Sequence, residues 1–283
     1  MRLSWANFSL DISKKTCVMG ILNVTQDSFS DGGLYFDKSA AIKRAHQMVE
    51  EGADIIDIGG ESTRPGSEPI TIEEELRRTI PVIEALAKGI NVPISIDTYK
   101  SEVAKRALDA GASMVNDISG LRFDPKMPEV VSQYNVPVII MHIKGTPKDM
   151  QQNTVYGDLI SEILDYLGDS IRVALKSGVS EDKIIIDPGI GFGKTFEHNL
   201  EIIHDLRKFS SLEKPILIGP SRKAFIGKIL GEAATGERLE GTAAAVAISI
   251  MNGANIIRVH DVKEMFRVAR VADAIKNLEI ADF

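Results

Sequence analysis

Residues 16–283 are predicted to form one α/β domain, a single (β/α)₈ TIM barrel, behind a short N-terminal extension over residues 1–15. Three observations predict it. Short β-branched runs alternate with stretches of helical character, and such alternation implies a parallel sheet. Eight strand–helix pairs can be counted, in a length that suits a closed barrel of about 250 residues. No linker or shift in composition divides them. A doubly wound open sheet is the alternative that alternation alone leaves.

The elements follow in order. The first fifteen residues read as an irregular or hairpin segment outside the main fold. Cys17-Val18-Met19-Gly20-Ile21-Leu22-Asn23 is the first strand, with a helix over 39–51. Asp54-Ile55-Ile56-Asp57-Ile58 is the second, before a helix over 72–88. Thr71 with Glu74 three residues on has the spacing of a capping box at its start. Pro93-Ile94-Ser95-Ile96-Asp97 precedes a helix over 101–110, and Met114-Val115-Asn116-Asp117 a weaker one over 125–134. Pro137-Val138-Ile139-Ile140-Met141-His142 leads to a long helix over 155–177. Ile184-Ile185-Ile186-Asp187 is the sixth strand, before a helix over 197–209. Pro215-Ile216-Leu217-Ile218-Gly219 is followed by helical segments over 222–252. Ile256-Ile257-Arg258-Val259-His260 and a helix over 262–278 complete the pattern.

Composition narrows the function. The chain is 44% hydrophobic and 26% charged, ordinary for a globular protein. A net charge of -7 argues against general affinity for nucleic acid or anionic membranes, while leaving room for a local anion site. The single cysteine, Cys17, cannot form an internal disulfide, and one cysteine with five scattered histidines gives no zinc pattern. No secretory signal and no long apolar span is visible, so a cytoplasmic protein is expected.

The residues that finish each strand carry the chemistry. They are Asn23, Asp57 with Glu61, Asp97, Asn116 with Asp117, His142, Asp187, Ser221 with Lys223, and Arg258 with His260. Asp or Asn at a strand end often only caps the next helix or makes a turn. Lys223, Arg258 and His260 cannot serve as such acceptors. In a barrel all of them converge on one mouth, where ligands bind. Asp97, Asn116 and Asp187 offer acceptors, and a carboxylate matches paired N–H donors such as those of an aminopyrimidinone ring. Lys223, Arg258 and His260 suit a phosphate or carboxylate. Asn23 can give a metal an oxygen ligand, and Mg²⁺ on a pyrophosphate needs few protein ligands.

Three loops stand out. Asp187-Pro188-Gly189-Ile190-Gly191-Phe192-Gly193-Lys194 has the composition of a phosphate loop. A P-loop needs glycine six residues before the lysine, where Pro188 stands; a dinucleotide loop needs two residues between its second and third glycines, where only Phe192 stands. Both patterns fail. Residues 25–33 and 59–67, after the first two strands, are turn-rich, yet Phe29 and Arg64 are unusual loop-tip residues unless something apolar or anionic is covered. A lid role is expected of them, with Phe29, Asp31 and Pro65 as lid residues.

The motifs Met19-Gly20-Ile21-Leu22-Asn23-Val24-Thr25, Asp27-Ser28-Phe29-Ser30-Asp31-Gly32-Gly33, Asp57-Ile58-Gly59-Gly60-Glu61-Ser62-Thr63-Arg64-Pro65-Gly66, Ser95-Ile96-Asp97-Thr98, Asn116-Asp117, the Asp187–Lys194 loop, Ser221-Arg222-Lys223 and Arg258-Val259-His260 resemble, in order, those of the dihydropteroate synthase family. The resemblance spans residues 19–260 and departs only at Pro220 and Ala224. It implies a transferase of folate biosynthesis, joining 6-hydroxymethyl-7,8-dihydropterin diphosphate to 4-aminobenzoate, usually as a homodimer and as a sulfonamide target. Asp97, Asn116, Asp187 and Lys223 would hold the pterin. Asn23, Thr63, Arg258 and His260 would hold the pyrophosphate, with Mg²⁺ at Asn23. Arg64, Ser221 and Arg222, with Phe29, Pro65 and Phe192, would line the aminobenzoate region. Asp97, Lys223, Arg258 and His260 are the catalytic candidates. A pterin-binding methyltransferase domain and a catalytically silent pterin-binding paralogue are the alternatives.

Overall fold

The computed structural model describes residues 2–13, 15–25 and 38–278. Residues 26–33 of the expected lid segment 25–33, with Phe29 and Asp31, lie outside the described residues. A hairpin of β1 (Arg2–Trp5) and β2 (Phe8–Asp11) comes first. The barrel strands are β3 (Cys17–Asn23), β4 (Ile55–Gly59), β5 (Ile94–Asp97), β6 (Met114–Asp117), β7 (Val138–Met141), β8 (Ile184–Asp187), β9 (Leu217–Ile218) and β10 (Ile256–Val259). Helices α1 (Lys38–Glu50), α2 (Ile72–Leu86), α3 (Ser101–Asp109), α4 (Met127–Tyr134), α5 (Leu159–Lys176), α6 (Phe196–His204), α7 (Ala224–Ile229), α8 (Leu239–Met251) and α9 (Val262–Asn277) alternate with them.

The strands pair in parallel in the order β8-β7-β6-β5-β4-β3-β10-β9. A parallel bridge between Ile186 and Ile216 closes the ring, with the Ile186 N–H donating to the Pro215 carbonyl at 2.9 Å. The fold is therefore the expected barrel. Alternation along each strand then sorts the side chains. Val18, Ile56, Ile96, Val115, Ile140, Ile186 and Ile257 point outward into the layer shared with helix residues such as Met48, Ile83, Leu167 and Met265. Met19, Ile55, Met114, Ile139, Ile185, Leu217 and Ile256 point inward and fill the lower barrel. Above them the inward positions turn polar, at Asp57, Asp97, Asn116, Asp187 and Arg258.

The N-terminal segment is a hairpin, but it is not outside the main fold. Leu3, Trp5 and Ile12 are buried in the same cluster as the lower barrel residues, so the hairpin stoppers the end of the barrel opposite the polar layer. Three other expectations shift. The helix expected from 155 starts at Leu159, where Asp158 caps it by accepting from the Ser161 N–H. The helix expected over 197–209 stops at His204 and continues as a 3₁₀ turn. At the start of α2, Thr71 accepts from the Glu74 N–H, but the Glu74 carboxylate pairs with Arg77 and Arg78 instead of returning to the cap, so half of the capping box forms. Among the described residues no helix is long and apolar enough to cross a membrane.

Candidate active site

The polar layer is a bonded network. Arg258 on β10 donates from Nε to Asp57 Oδ2 and from Nη2 to Asp97 Oδ2, each at 2.6 Å. Asn116 Nδ2 donates to the same Asp57 oxygen at 3.0 Å. Asp57 is wholly buried, and its Oδ1 takes no hydrogen bond among the described residues. Burial raises the Asp97 pKa, an effect Arg258 opposes and Asp57 reinforces. Burial disfavours the Arg258 charge, but Asp57 and Asp97 outweigh it and hold the guanidinium protonated. Asp57 is the hub that sequence reasoning named among the strand-end residues without a role. Its signal was an acid in phase with inward Ile55.

Asp187 ends β8, where burial raises its pKa to about 6. Its Oδ1 accepts from the Gly189 N–H at 2.7 Å, which leaves further lone pairs for a ligand. The loop beyond satisfies its own backbone. The Gly191 N–H goes to Asn199 Oδ1, Gln151 donates to the Gly191 carbonyl, and Tyr156 donates to the Gly193 carbonyl. Gly189 has φ 74°, and a Cβ there would collide with the His142 carbonyl oxygen. The glycines thus serve tight backbone packing. Beneath them Lys194 Nζ bonds His142 Nδ1 at 2.8 Å and the Phe192 carbonyl at 2.9 Å. Burial depresses the Lys194 pKa against the pull of Asp187. Burial with Lys194 depresses that of His142 to about 2, so His142 is a neutral acceptor.

Lys223 extends over the Phe192 ring, Nζ 4.4 Å from its centroid. Burial and the nearby Arg258 lower its pKa to about 8. Ser221 Oγ lies 3.0 Å from His260 Nδ1 and accepts from the His260 N–H at 3.2 Å. A neutral His260 can take the Ser221 hydroxyl hydrogen at Nδ1, which leaves its own hydrogen on Nε2. Burial, then Arg258 and Arg222, lower the His260 pKa to about 3. His260 thus offers an N–H rather than the positive charge considered from sequence.

Thr63, Asp97, Asn116, Asp187, Phe192, Lys223 and Arg258, with Ile118, Met141, Ile190 and Gly219, line one cleft at the barrel mouth. The remaining expected residues among those described stand outside its lining. Asn23 ends β3; its Oδ1 and Asp97 Oδ2 lie 3.8 and 3.5 Å from where a Gly59 Cβ would stand. Ser221 and His260 form their own pair. Arg222, at φ 58°, pairs its guanidinium with the Asp261 carboxylate, Nε to Oδ2 at 3.0 Å. Arg64 and Pro65 are exposed on the loop after β4. That loop is gathered at its neck by Glu61, which accepts from the Ile70 N–H and from Lys100.

Among the described residues no group of three His, Cys, Asp or Glu could hold a metal alone. Mg²⁺ held mainly by a ligand's diphosphate needs only a single protein oxygen, and Asn23 Oδ1 beside Asp97 fits that demand.

Fold and site together define a (β/α)₈ barrel enzyme whose mouth combines buried acceptors for a flat heterocycle with cations for an anion. A family model described as pterin binding enzyme matches residues 19–260. A dihydropteroate synthase of Synechocystis sp. is 51% identical over 265 residues, covering 94% of this chain and 92% of that one. The crystal structure of the Yersinia pestis dihydropteroate synthase with a sulfonamide drug complex matches at a TM-score of 0.93 and 41% identity, covering 98% of this chain and 100% of that one. The Xanthomonas albilineans dihydropteroate synthase with 4-aminobenzoic acid matches at 0.91 and 41% identity, covering 97% and 98%. The chain belongs to the dihydropteroate synthase family of pterin-binding enzymes.

Proposed function

We propose that this chain condenses 6-hydroxymethyl-7,8-dihydropterin diphosphate with 4-aminobenzoate, giving 7,8-dihydropteroate and pyrophosphate for folate biosynthesis. The observation that carries this reading is the single cleft in which Asp187, Asn116 and Asp97 meet Lys223 and Arg258. The lone pairs of Asp187 left by Gly189 suit the paired N–H edge of the pterin. Asn116, with one amide hydrogen committed to Asp57, keeps its oxygen and its second N–H for the ring. The Lys223 ammonium, above Phe192, suits a ring acceptor.

The reaction breaks the bond from the pterin methylene carbon to the diphosphate oxygen and forms a bond from that carbon to the amine nitrogen. The amine proton leaves to solvent. Asp97 would stabilise positive charge on the methylene as the leaving group departs. An aromatic amine is already nucleophilic, so no strong base is required. His260 Nε2–H, Thr63 and Arg258 would receive the diphosphate. Mg²⁺, when bound through Asn23, neutralises diphosphate charge. Arg64, Ser221 and Arg222, with Pro65 and Phe192, would line the aminobenzoate region, and sulfonamides would compete there.

A homodimer fits the apolar residues left exposed on adjacent helices, Ile248 and Met251 on α8 with Val271 and Ile275 on α9. A cytoplasmic setting fits the lone, buried Cys17 thiol. The test of function is pyrophosphate release by the purified protein with both substrates. Release that depends on 4-aminobenzoate is expected. No release would overturn the reading in favour of a methyltransferase domain or a silent pterin binder.

A further inference from the structure

Lys194 and His142 are buried titratable groups that the reaction above does not use. Lys194 is 3% exposed and His142 4%. Lys194 Nζ lies 2.8 Å from His142 Nδ1, 2.9 Å from the Phe192 carbonyl oxygen and 3.5 Å from the His142 carbonyl oxygen. These contacts hold it below the glycine loop. A methionine would fill the same space without the cost of burying a charge-capable amine. What methionine could not do is tie one point of the loop to a neighbouring strand.

The ties are specific. The His142 N–H donates to the Asp187 carbonyl at 3.0 Å, which welds the end of β7 to the end of β8. Lys194 links that weld to the Phe192 carbonyl. Phe192 packs against Ile118, Met141, Ile143 and Met150 and lies under the Lys223 ammonium. Asp187 has its own anchors in the β7 pairing and the Gly189 N–H. Lys194 therefore governs the second half of the loop more than the first.

We infer that Lys194 is a positioning residue for the aromatic-amine substrate: through the Phe192 carbonyl it fixes where the Phe192 ring stands beside Lys223. The inference rests on the proposed reading of Phe192 as part of the aminobenzoate region. Lys194 affects the second substrate and leaves the pterin reader Asp187 in place. Misplacement of a contact surface by about 1 Å can cost up to about a hundredfold.

A double-mutant cycle separates this from a structural role and from failure of the underlying reading. Lys194→Met, Phe192→Ala and the double variant are compared by KM for 4-aminobenzoate at saturating pterin diphosphate, and by Kd for pterin diphosphate. Phe192→Ala should raise the KM, and Lys194→Met should raise it about tenfold with the pterin Kd within about threefold. In the Phe192→Ala background Lys194→Met should add less than about twofold, because a shared path is not additive. Fully multiplicative effects, or equal losses for both substrates, overturn the inference while leaving the function intact. An unchanged KM in Phe192→Ala overturns the reading of Phe192 and the inference with it. If Lys194→Met does not fold, Lys194→Gln is scored the same way, and failure of both to fold assigns Lys194 a purely structural role.

Discussion

Arg258 and Asp97 are joined across the barrel mouth, Nη2 to Oδ2 at 2.6 Å, although strands β3 and β4 lie between them in the sheet. The same guanidinium holds Asp57. One arginine therefore compensates the wholly buried Asp57 and the largely covered Asp97, and the site's electrostatics depend on it.

Arg258→Ala would leave Asp57 and Asp97 without their cation. Breaking a buried pair from one side costs about 3–5 kcal/mol, so a stability loss of that order is expected in urea unfolding. The surviving folded protein should lose affinity for pterin diphosphate more than for free pterin. Equal losses for the two ligands would remove Arg258 from the diphosphate region.

Asp187→Asn replaces a double acceptor by one acceptor and one donor pair. With Gly189 already donating to one oxygen, the new amide must face an N–H either in the loop or on the ring. Titration calorimetry should give pterin binding weaker by roughly 1–3 kcal/mol, the penalty of a mispaired buried group. Unchanged affinity would make Asp187 a turn residue alone.

The pH profile of kcat/KM for pterin diphosphate should be bell-shaped. Burial raises the Asp187 pKa to about 6, so acceptor capacity is lost as pH falls through that value. Burial and Arg258 lower the Lys223 pKa to about 8, so its ammonium is lost as pH rises through that value. The free enzyme's groups set these limbs. Burial also raises the Asp97 pKa to about 7, so Asp187→Asn should leave an acid limb set by Asp97 alone and keep the basic one; an acid limb of unchanged shape would take Asp187 out of it.

Trp5→Ala tests the stopper. Trp5 is 4% exposed in the lower barrel cluster, at the end away from the polar layer. Truncation should cost about 3–5 kcal/mol of stability by denaturant titration, with kcat/KM of the folded protein nearly unchanged. A stability change within error would return the hairpin to the status of a loose extension.

Much of this was legible in the sequence because strand and site follow one period-2 pattern. Inward Ile55 and Ile185 lead by alternation to Asp57 and Asp187, and the barrel brings such positions to one mouth. Asp57 escaped a role because its partners, Asn116 and Arg258, come from distant strands and only closure makes it a hub. The hairpin's burial was hidden because Leu3 and Trp5 show a two-residue alternation too short to reveal what they cover. His260 read as a cation because its bond with Ser221, 39 residues away, is tertiary. The strand expected over 215–219 shortens to Leu217–Ile218, since Pro220 follows Gly219 and Ile216 is engaged by Asn255.

The central claim is that the polar layer of the barrel reads a pterin ring. A crystal structure of the protein with pterin diphosphate and Mg²⁺ tests it most directly. The ring's paired N–H edge should meet Asp187, with Asn116 in contact with the ring and the diphosphate toward Asn23, Thr63 and His260. A ring bound away from Asp187 and Asn116, or a diphosphate on the Gly189–Gly193 loop, would contradict the account.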